Sequence, residues 1–136
     1  MNCNECGAPL VDGMNCREQL GAIGAWEFQD PTLMAEHFLT VASYNLQHPA
    51  QFTDEALAGL RIAFIDYLEH GVSAQTLRQR ASRAYEGKRR VLKDEADRQP
   101  VLRHWGMTIA DVYLPDQPQG AVERVRAWAA TIRSQL

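Results

Sequence analysis

No apolar run in the 136 residues approaches the roughly 18 to 20 needed to span a bilayer, and the amino-terminal MNCNECG has none of the character of an export signal. A cytoplasmic protein without a membrane partner is expected. Excess charge of one sign is also missing. Fourteen Lys and Arg against seventeen Asp and Glu leave a net charge of −3, which excludes a globally basic nucleic-acid coat. There is no Gly-x-Ser-x-Gly elbow, no His-Glu-x-x-His helix and no phosphate loop, so the common nucleophilic, zinc-protease and nucleotide-binding signatures are absent. Cysteine is scarce, and the count of three is odd. Without an export signal, an odd count argues against a disulfide framework.

What remains is an ordinary globular composition, 46% hydrophobic and 23% charged, at a length that suits one core. We read residues 1–136 as a single domain, with a cysteine-rich metal-binding head at 1–16 and a helical body at 17–136. The fold class is all-α: a small domain of four to six helices with an amino-terminal segment like a zinc knuckle.

The helices follow from caps and periodicity. Asn15 caps a first helix to Gln29 with Leu20, Ile23 and Trp26 on one stripe, weakened by Gly21 and Gly24. Asp30 and Pro31 restart the helix. The second helix then runs to His48, where Pro49 ends it, with Met34, His37, Phe38, Val41, Tyr44, Asn45 and His48 on the expected buried face. Thr53 caps a third helix with Leu57, Leu60, Ile62, Phe64, Ile65 and Leu68 inside, closed by Gly71. Ser73 caps a fourth that reaches about Glu86, stopped by Gly87. Residues 88–118 read as mostly irregular, with Val91 and Leu92 as a short strand or extended cover and Thr108 capping one turn through Val112. From Gly120, Val122, Val125, Trp128, Ala129 and Ile132 mark a closing helix.

The strongest chemical signal is the spacing Cys3-x2-Cys6-x9-Cys16. Two cysteines two residues apart, followed by glycine, form half of a tetrahedral zinc site, which leaves one ligand to find. His37 and His48 are the candidates. Eleven residues separate them, about 16 Å along a helix, so an intact helix cannot bring both to one ion. If the first two helices fold back antiparallel about Asp30, Cys16 comes level with Tyr44, nearer His48 than His37. The favoured set is Cys3, Cys6, Cys16 and His48 around one structural zinc ion. His37 is the second choice, and water or substrate the third. Blander readings stand beside these: Cys16 as an ordinary buried cysteine, Cys3 and Cys6 as a redox pair, His37 as a hydrogen-bonded core histidine, and Tyr44 and Gln47 as packing. Iron would suit a tetrahedral thiolate site as well as zinc.

Cys-Asn-Glu-Cys-Gly-Ala at 3–8, Asp12-Gly13, Cys16, Trp26-Glu27 and HFLTVASYNLQHP at 37–49 together resemble an uncharacterised bacterial domain family of unknown function. A weaker likeness continues through TIADV at 108–112 and ERVRAWA at 123–129, so it covers most of the chain. The resemblance implies no known activity. That family's helix often carries further Cys and His residues where this chain has Ser43 and Asn45, which sets those two aside as ligands and leaves His37 and His48 as the matching positions.

Half of the basic residues, Arg78, Arg80, Arg83, Lys88, Arg89, Arg90 and Lys93, fall in one stretch opposed only by Glu86. With Tyr85 as a stacking surface it suggests contact with nucleic acid, although Asp94, Glu95 and Asp97 follow at once and a solvated face explains it as well. Glu36 with His37, and Asp66 with His70, are weaker acid–base candidates. Three functions are therefore carried forward. The first is a zinc-stabilised adaptor acting on a protein partner in the bacterial cytosol. The second is a hydrolase-like metal enzyme with an open position near His37 and Tyr44. The third is nucleic-acid binding through residues 78–93.

Overall fold

A computed structural model describes residues 1–84 and 90–136. Its six α-helices are α1 (Cys16–Glu27), α2 (Pro31–Met34), α3 (His37–Leu46), α4 (Asp54–Glu69), α5 (Ala74–Ala84) and α6 (Ala121–Gln135). No strand occurs among the described residues, only two isolated bridges. None of the described helices is long and apolar enough to cross a membrane. The mainly helical class is as expected.

The caps are the ones legible in sequence. Asn15 and Glu18 form a reciprocal capping box at α1. Asp30 Oδ1 accepts from the amides of Thr32 and Leu33, and the Thr53 and Ser73 hydroxyls accept from Ala56 and Thr76. Each satisfies a first-turn amide that the helix itself cannot. Gly71, at φ +66°, follows α4 in the left-handed conformation that ends many helices. The expected end of α5 at Glu86 and Gly87 lies outside the described residues.

The second helix differs from expectation. It breaks at Ala35 and Glu36 into α2 and α3, and the inward face is Leu39, Thr40, Ala42, Ser43 and Leu46, with Leu33 buried from α2. Met34 and His37 are exposed instead. Two stripes compete on this segment. The stripe that faces the core is the one carrying Leu39 and Leu46, and the break lets Leu33 reach the same core. In α4, Phe64 is fully buried but Ile62 is 62% exposed, because two residues' separation puts it on the opposite side of the helix.

The core sits between α6 and α3, with α4 also packed on α3 and contributing Phe64. Val125, Trp128, Ala129 and Ile132 of α6 are completely buried, as their spacing indicated. The Thr108 turn packs its Ile109 against α1 and α6, closed by its own capping box with Asp111. Gln47, just past α3, spans the core: its amide donates to the Met107 carbonyl at 2.7 Å and its carbonyl accepts from Trp128 Nε1 at 3.2 Å. Val91 and Leu92 are extended, bridged to Phe52 through Thr53 N–H to Val91 O and Lys93 N–H to Gln51 O.

Candidate metal centre

The head is shaped by its turn residues. Gly7, at φ +79°, lets the chain double back so that the Cys3 amide donates to Ala8 O and the Gly7 amide to Cys3 O. This fold also points the Ala8 amide at Cys6 Sγ, 3.4 Å away. Asp12 and Gly13, both at positive φ, form a tight turn in which Val11 and Met14 exchange backbone hydrogen bonds. That turn delivers the chain to Asn15 and places Cys16 in the first turn of α1. Gln19, buried on α1, donates to the carbonyls of Pro9 and Met14 and fastens the head to the helix.

His48 lies just beyond α3, at φ −129° and ψ 59°, ahead of Pro49. Its Nδ1–H donates to the Tyr44 carbonyl at 2.7 Å, which leaves Nε2 facing the cysteines. Nε2 is 3.4 Å from Cys16 Sγ and 3.7 Å from Cys3 Sγ. The three sulfurs and Nε2 all lie within 4.8 Å of one another. Around a tetrahedral zinc, bond lengths near 2.3 Å to sulfur and 2.05 Å to nitrogen separate such donors by about 3.6 Å. The donor set and its spacing therefore fit a metal ion. Cys6, Cys16 and His48 are buried and Cys3 is half-buried. Tyr44 stacks on the His48 ring at 4.0 Å and places its hydroxyl 3.7 Å from Cys16 Sγ.

The protons respond to this crowding. The hydrogen bond from Cys6 holds the Cys16 thiol down at about 3, with burial opposing and His48 assisting. Cys6, sharing that proton, is pushed well up, as is the Tyr44 phenol by burial and by Cys16. At His48 burial works against the charged ring, but the Cys16 thiolate and the Tyr44 carbonyl outweigh it and raise the group to about 9. Without a metal the site thus stores a thiolate beside an imidazolium. A bound cation needs thiolates and a neutral imidazole, so its binding would release protons.

Sequence reasoning placed the second histidine candidate poorly. His37 is on the outside, its ring 56% exposed and bound through Nδ1 to the buried carboxylate of Glu27 at 2.8 Å. It is not among the four clustered residues. Ser43 is buried without a partner for its hydroxyl among the described residues, and Asn45 is half-buried. Tyr44 is beside the cluster, and His37 is outside it. Glu36 accepts from Tyr67 Oη and pairs with Arg126, while Asp66 joins His70 and Arg80 on the surface. Of the basic stretch, Arg78, Arg80 and Arg83 are exposed on α5. Arg80 is tied to Asp66 and Arg90 to Asp94, and Tyr85, Lys88 and Arg89 lie outside the described residues.

Glu5 was missed. It is buried, lies between Cys3 and Cys6 in the chain, accepts from the Ala50 amide at 2.7 Å through its carboxylate, and receives the Arg103 amide on its carbonyl. It thereby ties the head to the chain after His48. Nothing in the spacing of charged residues signals such a contact across 45 positions.

Compared with known proteins, the chain matches one family over residues 1–136, described as a family of unknown function (DUF5946). No curated protein and no solved structure matches it.

Proposed function

The chain belongs to this family of unknown function, and we propose that it is a zinc-stabilised adaptor or binding module that acts on a protein partner in the bacterial cytosol. The observation that carries the reading is the closed set of four donors, Cys3, Cys6, Cys16 and His48, within 4.8 Å of one another. Four protein donors fill a tetrahedral ion and leave no position for an activated water, so zinc there would stabilise the fold. It would hold the knuckle against the start of α1 and the end of α3. The binding surface then lies beside the knuckle. Leu102 and Val101 are 50% and 73% exposed, and Leu102 sits over Gly7, 3.5 Å from where a Cβ would be. Exposed apolar residues grouped on a rigid support are a usual mark of a protein-binding face.

The test is metal analysis and X-ray absorption on the full chain purified without added metal, with His48→Ala and His37→Ala variants. One zinc per chain with three sulfurs and one nitrogen, lost in His48→Ala and kept in His37→Ala, is expected. A co-purifying protein that disappears in Leu102→Asp, with zinc retained, supports the adaptor. A water in the coordination sphere supports the hydrolase-like reading instead, and no metal at all overturns both.

A further inference from the structure

Two glycines in the middle of α1, Gly21 and Gly24, occupy positions where the fold itself does not require glycine. Neither has the left-handed backbone found at Gly7, Gly13, Gly71 and Gly120. A Cβ at Gly21 would meet nothing within 4 Å, and one at Gly24 only Glu27 Oε1 at 3.9 Å. Alanine would fit both and favour the helix. Over these glycines lies a surface concavity of about 440 Å³, walled by Phe28, Met34, Glu27 and His37.

The polar wall is unusual for a surface hollow. The Glu27 side chain is only 3% exposed, at the carboxyl end of α1, where the helix field disfavours a negative charge. Among the described residues its two oxygens are met only by His37 Nδ1, at 3.0 and 2.8 Å. A buried acid elsewhere in the chain, Glu5, is satisfied by a backbone amide, whereas Glu27 is spent on orienting an exposed imidazole. With Nδ1–H donating to the carboxylate, the free nitrogen of the ring is Nε2, and it has no partner among the described residues. The opposite wall, Phe28, is 85% exposed, an aromatic face left in water.

We propose that this hollow is a small-molecule site for a flat ring bearing an O–H group, of the phenol class. The ring lies on the glycine floor, where the missing side chains let it approach the helix backbone, and packs against Phe28 and Met34. Its hydroxyl donates to His37 Nε2, the single polar contact in an otherwise apolar hollow, as is usual for such sites. Eleven residues of helix, about 16 Å, separate Glu27 from Cys16, so the site is independent of the metal centre.

The probe is 4-methylphenol, which keeps its O–H at neutral pH, titrated into the full chain while the histidine ring nitrogens and the Phe28 ring are followed by NMR. Saturable shifts at His37 Nε2 and at Phe28 with one site per chain are expected. Glu27→Gln, which frees the ring to change tautomer, weakens binding about tenfold, the scale of one hydrogen bond to a charged group. Gly21→Leu fills the floor and abolishes binding, while the His37 tautomer and the thermal midpoint are kept. Phe28→Ala, at a surface position, also weakens it. No shift at His37, undiminished binding in Gly21→Leu, or loss in Phe28→Ala with none in Glu27→Gln would each overturn the proposal.

Discussion

Helices α4 and α6 are nearly equal in length, yet α6 buries Ala121, Val122, Val125, Trp128, Ala129 and Ile132 while α4 buries only Ala56 and Phe64. The contrast widens at α5, where Leu77 alone is buried. The head is different again. It has few aliphatic residues, and what converges there is three cysteines and a histidine. Apolar burial thus stabilises the α3–α6 centre, donor chemistry gathers the head, and residues 54–84 are joined to the outside by a thin apolar seam. A fold of this kind should come apart in stages, with local stability following buried contacts.

The largest expected effect is at the head. If the four donors hold zinc, its chelation, or His48→Ala, would remove binding energy on the order of 10 kcal/mol, the scale of a structural zinc site. The amides of residues 3–16 then lose hydrogen-exchange protection while α6 keeps its own. Protection lost equally in both would mean that the two regions form a single cooperative unit.

The metal-free head also has a pH signature. His48, raised from 6.5 to about 9, contributes stability fully below pH 6.5 and loses it as pH rises through about 9. Cys16, lowered from 9.0 to about 3, contributes fully above pH 9 and loses it as pH falls through about 3. Between 6.5 and 9 the two slopes oppose each other, so urea midpoints of the metal-free chain should be flat there and fall on acidification below 6.5. Midpoints that rise on acidification would remove the thiolate from the account.

In the centre, Gln47→Leu strips partners from the carbonyl of half-buried Met107 and from the fully buried Trp128 indole. Leaving such groups unpaired should destabilise the chain by about 2–4 kcal/mol, read from denaturant unfolding. On the outside, Leu77→Ala should cost about 2 kcal/mol, the low end for a buried leucine, because the site is thinly covered. Its loss should appear in exchange rates of α5 before those of α6. The smallest effect is at Gly21→Ala, where nothing obstructs a methyl group and helix propensity alone should raise stability by up to about 1 kcal/mol. A decrease would show that the α1 glycines have a structural purpose.

The helical class, the caps at Asn15, Asp30, Thr53, Ser73 and Thr108 and the buried face of α6 were all legible, because each depends on residues within one or two turns of one another. The grouping of Cys3, Cys6 and Cys16 was legible for the same reason, since cysteines crowded into sixteen residues have few other uses. The face of α3 was not. Two stripes share that segment, and a local pattern cannot weigh one against the core each would meet; the stripe of Leu39 and Leu46 faces it, joined by Leu33. Ile62 and Phe64 show the same weakness on a smaller scale, two apolar neighbours that cannot face one way.

By itself, then, the sequence determined the helical class, the caps at which helices start and the clustering of three cysteines in the head, all consequences of short-range sterics, hydrogen bonding and spacing. Only the tertiary structure decided that Glu5 links the head to Ala50, that Gln47 spans the core, and that Glu27 holds His37 over a glycine floor. Each of these pairs residues far apart in the chain or on separate elements. Their meeting depends on the angle at which helices pack and on the break at Ala35 and Glu36, which the burial of the whole core sets and no local stretch encodes.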